Sequence, residues 1–226
     1  MDDLNCSGEV VHQTLRELEF INQWLGGNKV TVRGLDQLIS QSSINQKLSI
    51  ADLGCGSGEM LKLVNEHLKE HSLDLQLMGI DANANIIRYA EKNCNHVHNI
   101  SFQVKNILDT SFPKEEYDVI IATLFLHHFS DKQLIEIFHQ LKNQARVGIV
   151  VNDLHRHPLA FYSIKLLTRL FSKSSMVKYD APLSVLRGFR KKELITILHA
   201  AGIRKYTLAW KWAFRWQIII PATNSL

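Results

Sequence analysis

Several features that would assign this chain to a specialised class of protein are missing from its 226 residues. No apolar run approaches the roughly 20 residues that a membrane-spanning helix needs. The start of the chain, Met1 to Asn5, is acidic and polar, unlike a secretory signal. With an apolar content of 46% and a charged content of 21%, the chain is typical of a single globular domain. We expect a cytoplasmic protein without a transmembrane segment.

Cysteine is scarce, and the three present are Cys6, Cys55 and Cys94. They are odd in number, far apart in the chain and without the close spacing of zinc ligands. A disulfide framework and a structural zinc site are therefore both disfavoured. We interpret the three as free thiols in a reducing compartment.

Positive charge is concentrated late in the chain. The segment from Arg156 to Arg215 holds thirteen Lys and Arg against two acids, Asp180 and Glu193, whereas the overall net charge is only +4. Such asymmetry attracts anionic substrates, nucleic acid or a membrane surface. A solvated helix face is the favoured explanation, and peripheral membrane contact stays open.

Apolar runs and amphipathic stretches alternate along the middle of the chain. Continuous apolar strands separated by helices predict a parallel sheet that is covered on both faces. The predicted strands are 48–53, 75–80, 100–104, 117–123 and 146–151, with helices at 58–70, 83–93 and 131–142 between them. Helices are also predicted at 9–25, 31–41, 159–171 and 190–200. Two closing strands, about 203–210 and 213–220, lie close enough in sequence to pair antiparallel.

A glycine-rich turn follows the first predicted strand. Asp52 precedes Gly54, Gly56 and Gly58, and Asp81 ends the second strand. Glycines let the backbone approach a ligand closely, and an acid in the place of Asp81 can accept hydrogen bonds from ribose hydroxyls. An acid beside the loop would repel a pyrophosphate but suits a cationic ligand. The segment also lacks the Gly-Lys-Ser/Thr of a phosphate-binding loop.

Together these motifs resemble the class I S-adenosylmethionine-dependent methyltransferases, in their small-molecule branch. The resemblance extends over about residues 48–152. It rests on Ala51 to Gly58, Gly79 to Asp81, Val104 to Ile107, Tyr117 to Ile121, Leu126 to Phe129 and Val147 to Val151.

The resemblance implies a Rossmann-like α/β fold. Its sheet would be mostly parallel and seven-stranded, with an antiparallel last strand. We expect a single domain with a helical N-terminal cap (1–47), a cofactor-binding core (48–152), an inserted lid and substrate region (153–202) and closing strands (203–226).

S-adenosylmethionine is the cofactor that the resemblance implies. The glycine loop would pass beneath its methionine part, Asp52 would hold its amino group, and Asp81 its ribose. Asn106 stands where the family commonly has an acid, and its side-chain oxygen can still accept from the adenine amine. The expected cofactor contacts are Asp52, Gly54, Cys55, Gly56, Gly58, Asp81, Ala82, Asn106, Ile107 and Thr123, with Leu124 beside the path to the methyl group.

Two groups of ionisable residues are candidates for catalysis, because transfer to a phenol needs a nearby base. His127 and His128 follow the fourth strand, and Asp153, His155 and His157 follow the fifth. We favour His155 or His157 over His127. The alternative for each is a structural role in packing or helix capping. No acid ends the fourth strand, so a catalytic metal is not expected.

The favoured function is methyl transfer to a small acceptor that is aromatic, polyketide-like, quinone-like or lipid-like, with oxygen as the favoured target. One alternative is an RNA or protein methyltransferase that uses the basic C-terminal region. Another is a cofactor-binding protein without catalysis. The expected partner is the small-molecule acceptor rather than nucleic acid, and the expected state is a monomer or homodimer.

Overall fold

A computed structural model describes residues 8–42, 46–71, 73–109 and 117–222. Cys6 lies outside these ranges, whereas Cys55 and Cys94 are buried free thiols. The strands of the described chain are β1 (Lys47–Leu53), β2 (Asp74–Asp81), β3 (Ile100–Val104), β4 (Tyr117–Thr123), β5 (Ala145–Leu154), β6 (Thr207–Lys211) and β7 (Arg215–Pro221). Its α-helices are α1 (Glu9–Trp24), α2 (Asn28–Ile39), α3 (Glu59–Leu68), α4 (Ala84–Asn93), α5 (Asp131–Gln144), α6 (Pro158–Phe171), α7 (Ser175–Arg187) and α8 (Lys191–Ala200).

The strands form one seven-stranded sheet in the order β3-β2-β1-β4-β5-β7-β6. β1 to β5 pair in parallel, and β7 runs antiparallel to both of its neighbours, β5 and β6. The predicted Rossmann-like sheet with an antiparallel last strand is therefore confirmed. In such a sheet the carboxyl ends of the parallel strands meet at one edge, where ligands bind.

Helices cover both faces of the sheet, as the continuous apolar strands require. On one face α5 and α8 pack Phe138, Leu141 and Leu198 against the strands. On the other face α2 and α3 contribute Leu38 and Leu61. Among the described helices, none combines the length and apolarity needed to cross a bilayer.

The structure corrects the sequence prediction at β5 and at α7. β5 continues to Leu154, because Asn152, Asp153 and Leu154 pair with Gln217, Trp216 and Arg215 of β7. Asn152 and Asp153 therefore belong to a strand, although their polarity suggested a loop.

The second correction concerns α7 (Ser175–Arg187), for which the sequence analysis predicts no helix. Pro182 lies inside this helix and discourages a helical prediction, since proline lacks a backbone donor. The helix forms because Ser174 caps its start and one face is buried at Val177, Ala181 and Val185.

Hydrogen bonds join α1 to the loop between α6 and α7. The Glu17 carboxylate accepts from the Ser172 hydroxyl and from the backbone N–H of Lys173 at 3.2 Å. Burial opposes ionisation of this carboxyl, but these hydrogen bonds outweigh it and lower the pKa of Glu17. α1 also packs directly on α7, and α6 packs on α7. The three helices thus form one connected layer.

Phe138→Ala tests the core beneath α5. The Phe138 side chain is 1% exposed, so its removal leaves a cavity, and we expect a loss of about 3–5 kcal/mol in the free energy of unfolding. Chemical denaturation measures it. Phe171→Ala is the matched control, because Phe171 is 76% exposed and its loss should cost less than about 0.5 kcal/mol. Equal losses in the two variants would contradict this account of the core.

Candidate active site

A cavity of about 640 Å³ lies at the carboxyl edge of the sheet. Its floor is formed by the ends of β1 and β2 and by the turn after β4, and its roof by residues of α1, α6 and α7. Most of the lining is apolar. The roof residues include Leu18, Ile21, Leu25, Ile164, Leu167 and Leu183, and the hairpin between β6 and β7 adds Trp212 and Phe214. Such a covered, mostly apolar cleft with few polar groups is typical of a small-molecule site.

The glycine loop forms one side of the cavity. Gly54 and Gly56 line it, and both adopt left-handed backbone conformations with φ of 67° and 52°. A Cβ on Gly54 would lie only 2.1 Å from the Phe125 ring. Gly58 caps the start of α3, and a Cβ there would lie 2.8 Å from the Cys94 sulfur. Gly54 and Gly56 therefore expose bare backbone to a ligand, whereas Gly58 allows tight packing behind the loop.

Asp81 presents a carboxylate to the cavity from the end of β2. Its Oδ1 accepts the backbone N–H of Asn83 at 2.9 Å, and the backbone N–H groups of Gly56 and Ala82 also bond to this carboxylate. Burial nevertheless raises the pKa of Asp81 above its usual value. Asn83 is the residue that caps α4, by accepting from Asn85 and Ile86.

Asp52 lies behind the loop and is 2% exposed. Burial raises the pKa of Asp52 to about 8, and the negative charge of Asp81 contributes to the shift. The Asp81 charge disfavours ionisation of Asp52, and a nearby cation would stabilise both carboxylates. This end of the cavity therefore suits a positively charged ligand.

The other residues expected at the cofactor divide into two sets. Ala82, Asn106 and Ile107 line the cavity, and Asn106 Oδ1 accepts the backbone N–H of Leu108 at 3.0 Å. Cys55 is buried outside the lining, and burial raises its pKa well above the usual value. Thr123 also lies outside the lining, and its hydroxyl bonds to that of Thr31 at 2.8 Å.

Directly after β4 the backbone turns sharply into the cavity. Leu124 has a φ of 54°, a left-handed conformation that is unusual for leucine. Its N–H donates to the carbonyl of Asn152 at 2.9 Å. The turn places Phe125 over Gly54 and brings Leu126, His127 and His128 into a short 3₁₀ helix. Strained backbone of this kind is common at functional sites.

His127 and Asp153 form a buried pair at the ends of β4 and β5. The His127 Nδ1 lies 2.7 Å from Asp153 Oδ1, and the two side chains are 3% and 1% exposed. Burial opposes ionisation of Asp153. The attraction and hydrogen bond of the His127 ring, together with hydrogen bonds from two backbone N–H groups, outweigh burial and lower the pKa of the Asp153 carboxyl. His127 lines the cavity, and its Nε2 has no hydrogen-bond partner among the described residues.

The remaining histidine candidates have different surroundings. His128 is exposed, lines the cavity and lies against His127, with 4.3 Å between ring centroids. His155 lies outside the lining, accepts from Trp210 Nε1 at 3.2 Å and packs against Trp216. Burial and the neighbouring His157 lower the pKa of His155. His157, also outside the lining, caps α6 by accepting the N–H of Leu159.

Arg215 is a cavity residue that the sequence analysis did not single out. It is 3% exposed and begins β7 opposite Leu154. The pattern that could have revealed it is a lone arginine between Phe214 and Trp216, in a strand whose other residues are apolar except for Gln217. A buried charge of this kind needs a partner.

Comparison with known proteins identifies the domain. A family model described as a methyltransferase domain matches residues 50–148, which contain the glycine loop, Asp81 and His127. The plantazolicin methyltransferase BpumL, solved with SAH, superposes with a TM-score of 0.66 at 18% identity, covering 87% of this chain and 84% of that one. The chain contains a methyltransferase domain and has the fold of the class I S-adenosylmethionine-dependent methyltransferases.

Other relatives of this methyltransferase are equally distant. Carboxy-S-adenosyl-L-methionine synthase from Helicobacter pylori is 22% identical over 181 residues, which cover 76% of this chain and 74% of the relative. Human N-acetylserotonin methyltransferase, solved with SAM, has a TM-score of 0.63 at 17% identity, covering 94% of this chain and 56% of that one. At these identities the structural likeness establishes the fold.

The methyltransferase's own residues fit its cofactor. Gly54, Gly56, Asp81 and Asn106 all line the cavity, and they follow or end the neighbouring strands β1, β2 and β3. Burial raises the pKa values of Asp52 and Asp81, so a positive charge at this end would stabilise both carboxylates. S-adenosylmethionine supplies this positive charge through its sulfonium and amino groups, and it carries no phosphate that the carboxylates would repel.

Gly54→Ala tests the glycine loop. The new methyl group would displace Phe125 from the loop, and we expect S-adenosylhomocysteine to bind about tenfold or more weakly by calorimetry. Gly26→Ala is the matched control, since Gly26 shares the left-handed conformation, at φ 70°, but a Cβ there would have no atom within 4 Å. Unchanged affinity in Gly54→Ala would show that the loop does not shape this end of the cavity.

Asp52→Asn tests the electrostatics behind the loop. The Asp52 pKa is about 8 in the folded protein and about 3.9 in an unfolded chain. Between these values the native state keeps a proton that the unfolded state has lost, so the carboxyl destabilises the cofactor-free protein increasingly as the pH rises.

We therefore expect the Tm advantage of Asp52→Asn over wild type to grow from pH 5 to pH 8. The growth should be roughly 6–12 °C, because each pH unit in this range changes the free energy of unfolding by about 1.4 kcal/mol and 1 kcal/mol shifts Tm by about 2–4 °C in a domain of this size. Thermal unfolding without cofactor at the two pH values measures it. The same Tm difference at both would contradict a raised pKa for Asp52.

Proposed function

We propose that this methyltransferase transfers the methyl group of S-adenosylmethionine to a hydroxyl oxygen of a small aromatic acceptor. The acceptor class is polyketide-like, quinone-like or lipid-like. The observation that carries this proposal is the buried Asp153–His127 pair, because His127 lines the cavity and its Nε2 has no hydrogen-bond partner in the described part of the chain. A hydroxyl acceptor is a weak nucleophile until a base removes its proton, whereas a neutral amine attacks without losing a proton first.

In this proposal the cofactor end of the cavity is the one formed by β1 and β2. Gly54 and Gly56 lie beneath the methionine part, and Asp52 balances the amino group from behind the loop. Asp81 accepts hydrogen bonds from the ribose hydroxyls. Ala82, Asn106 and Ile107 surround the adenine. Cys55, Gly58 and Thr123 support the loop and the end of β4 from positions outside the lining.

S-adenosylmethionine supplies an activated methyl group, so the protein's task is to orient the acceptor and remove its proton. Asp153 holds the His127 Nδ1 as the protonated nitrogen, which leaves the Nε2 lone pair to accept the hydroxyl proton. The Asp153 carboxylate then stabilises the positive charge on the ring. The site thus favours His127 as the base over His155 and His157, which the sequence had favoured.

The shape and lining of the cavity support a small acceptor. The α1, α6 and α7 roof encloses an apolar space next to Phe125, Phe129 and Phe214, where an aromatic ring can pack. The human relative is named for N-acetylserotonin. We propose a metal-independent transfer, because β4 ends at Thr123 and is followed by Leu124 and Phe125, which offer no carboxylate for a hard cation.

The basic C-terminal region gives less support to an RNA or protein acceptor. Arg190, Lys191, Lys192, Arg204 and Lys205 are exposed and lie outside the cavity lining. Their positions match a solvated face. RNA binding that weakens steeply with salt would revive this alternative.

Calorimetry with S-adenosylmethionine and S-adenosylhomocysteine tests the central claim, and failure of both to bind below millimolar concentration would overturn it. Turnover is then sought with labelled S-adenosylmethionine and a panel of phenols, quinols and acylresorcinols. Binding of the cofactor without transfer to any of these acceptors would favour the catalytically inactive alternative.

His127→Ala tests the base. We expect kcat to fall by about a hundredfold or more, because the hydroxyl proton loses its acceptor, while affinity for S-adenosylhomocysteine changes less than about twofold. His155→Ala is the matched control and should retain turnover within about threefold, since His155 packs outside the cavity. A large loss in His155→Ala with full activity in His127→Ala would reverse the assignment.

A further inference from the structure

The guanidinium of Arg215 is buried at the cavity with most of its donors unused. Its Nη2 donates to Asn22 Oδ1 at 2.7 Å, whereas Nε and Nη1 have no hydrogen-bond partner among the described residues. A guanidinium presents two edges that can each bind a carboxylate through a pair of N–H groups, and both edges include Nη2. Since Nη2 carries two hydrogens, one remains available after the bond to Asn22.

The nearest acid cannot satisfy these donors. Asp153 lies close enough to attract Arg215, but its Oδ1 already accepts from His127 Nδ1 and from Leu154 N–H, both at 2.7 Å. Its Oδ2 accepts the N–H groups of Leu126 at 2.8 Å and of His127 at 3.2 Å. A carboxylate has about four lone-pair positions, so that of Asp153 is full.

The surrounding backbone makes room for the guanidinium. Gly27 lies against it, and a Cβ on Gly27 would be 2.9 Å from Arg215 Nη2 and 2.1 Å from Asn22 Oδ1. Gly27 has an ordinary helical φ of −60°, so the close approach rather than backbone strain requires glycine here. Burial lowers the pKa of Arg215 to about 10, partly opposed by Asp153, and the side chain stays charged at neutral pH.

Arg215 lies on the side of the cavity away from the proposed cofactor position. In the sheet order, three strand spacings separate β7 from β1, a distance of about 14 Å. Arg215 is instead close to the proposed base, because Asp153 contacts His127 and, in the strand pairing, lies next to the partner of Arg215. A ligand group at Arg215 therefore belongs to the acceptor.

We infer that Arg215 binds a carboxylate on the methyl acceptor, so that the substrate is a hydroxylated aromatic acid. This inference rests on the proposed function and adds the acidic group to it. The acid binds at Arg215 through paired N–H···O contacts, which orients the ring and presents its hydroxyl to His127. The hydroxyl proton passes to His127 as the hydroxyl oxygen receives the methyl group. The carboxylate bound by Arg215 does not react.

Two probes that differ only in the acidic group test the inference. Olivetolic acid is a pentylresorcylic acid, and olivetol is the same ring without the carboxylate. Each is titrated by calorimetry into protein saturated with S-adenosylhomocysteine. We expect wild type to bind olivetolic acid about ten- to a hundredfold more tightly than olivetol, the preference that charge-assisted hydrogen bonds provide.

Arg215→Met should abolish this preference, and Arg215→Lys should restore only part of it, because lysine keeps the charge but loses the paired contacts. Asn22→Asp serves as a second variant if Arg215→Met fails to fold. It places a carboxylate against Nη2 and should also reduce the preference. Arg204→Met, at an exposed arginine outside the lining, is the matched control and should retain it.

Three results would overturn the inference. Wild type that does not bind the acid more tightly than olivetol excludes an acid site. Persistence of the preference in Arg215→Met assigns it to another residue. A loss of S-adenosylhomocysteine affinity in Arg215→Met, comparable to the loss of acid affinity, assigns Arg215 to the cofactor's own carboxylate. Failure of S-adenosylhomocysteine to bind wild type is a separate result, which overturns the proposed function itself.

Discussion

One buried carboxylate, that of Asp153, connects the parts of the chain that build the site. It accepts hydrogen bonds from the turn after β4, from the ring of His127 and from its own strand. Because all of these donors point at two oxygen atoms, the turn after β4 is fixed relative to β5. The strained backbone of Leu124, the ring of Phe125 over Gly54 and the direction of His127 depend on that anchor.

The charges of the cavity are separated along the sheet. Asp52 and Asp81 make the β1–β2 end acidic, whereas Arg215 places a cation on β7. Two ligands of opposite charge would each have one favourable end, so electrostatics alone would orient them side by side. The apolar roof strengthens this effect, since charges interact more strongly where water is excluded.

Much of the fold was predictable, because its strands are continuous apolar runs and the glycine loop with Asp81 has a distinctive spacing. The missed features depend on contacts between distant parts of the chain. Asp153 was recognised as a candidate but placed in a loop, since only pairing with β7 extends β5 that far. The choice of His127 required the Asp153 contact, and α7 was obscured by Pro182. Arg215 could not be recognised as a binding residue from the sequence, because its contacts with Asn22 and Gly27 join distant parts of the chain.

The reversed direction of β7 also bears on how this protein and its relatives could diverge. A parallel strand reaches the ligand edge with its last residues, but β7 reaches it with its first, immediately after the short hairpin Trp212–Phe214. The hairpin shares no residue with the glycine loop or β2. Its length and composition can therefore change the acceptor while the methyl donor stays the same, which makes it a natural segment to exchange in engineering.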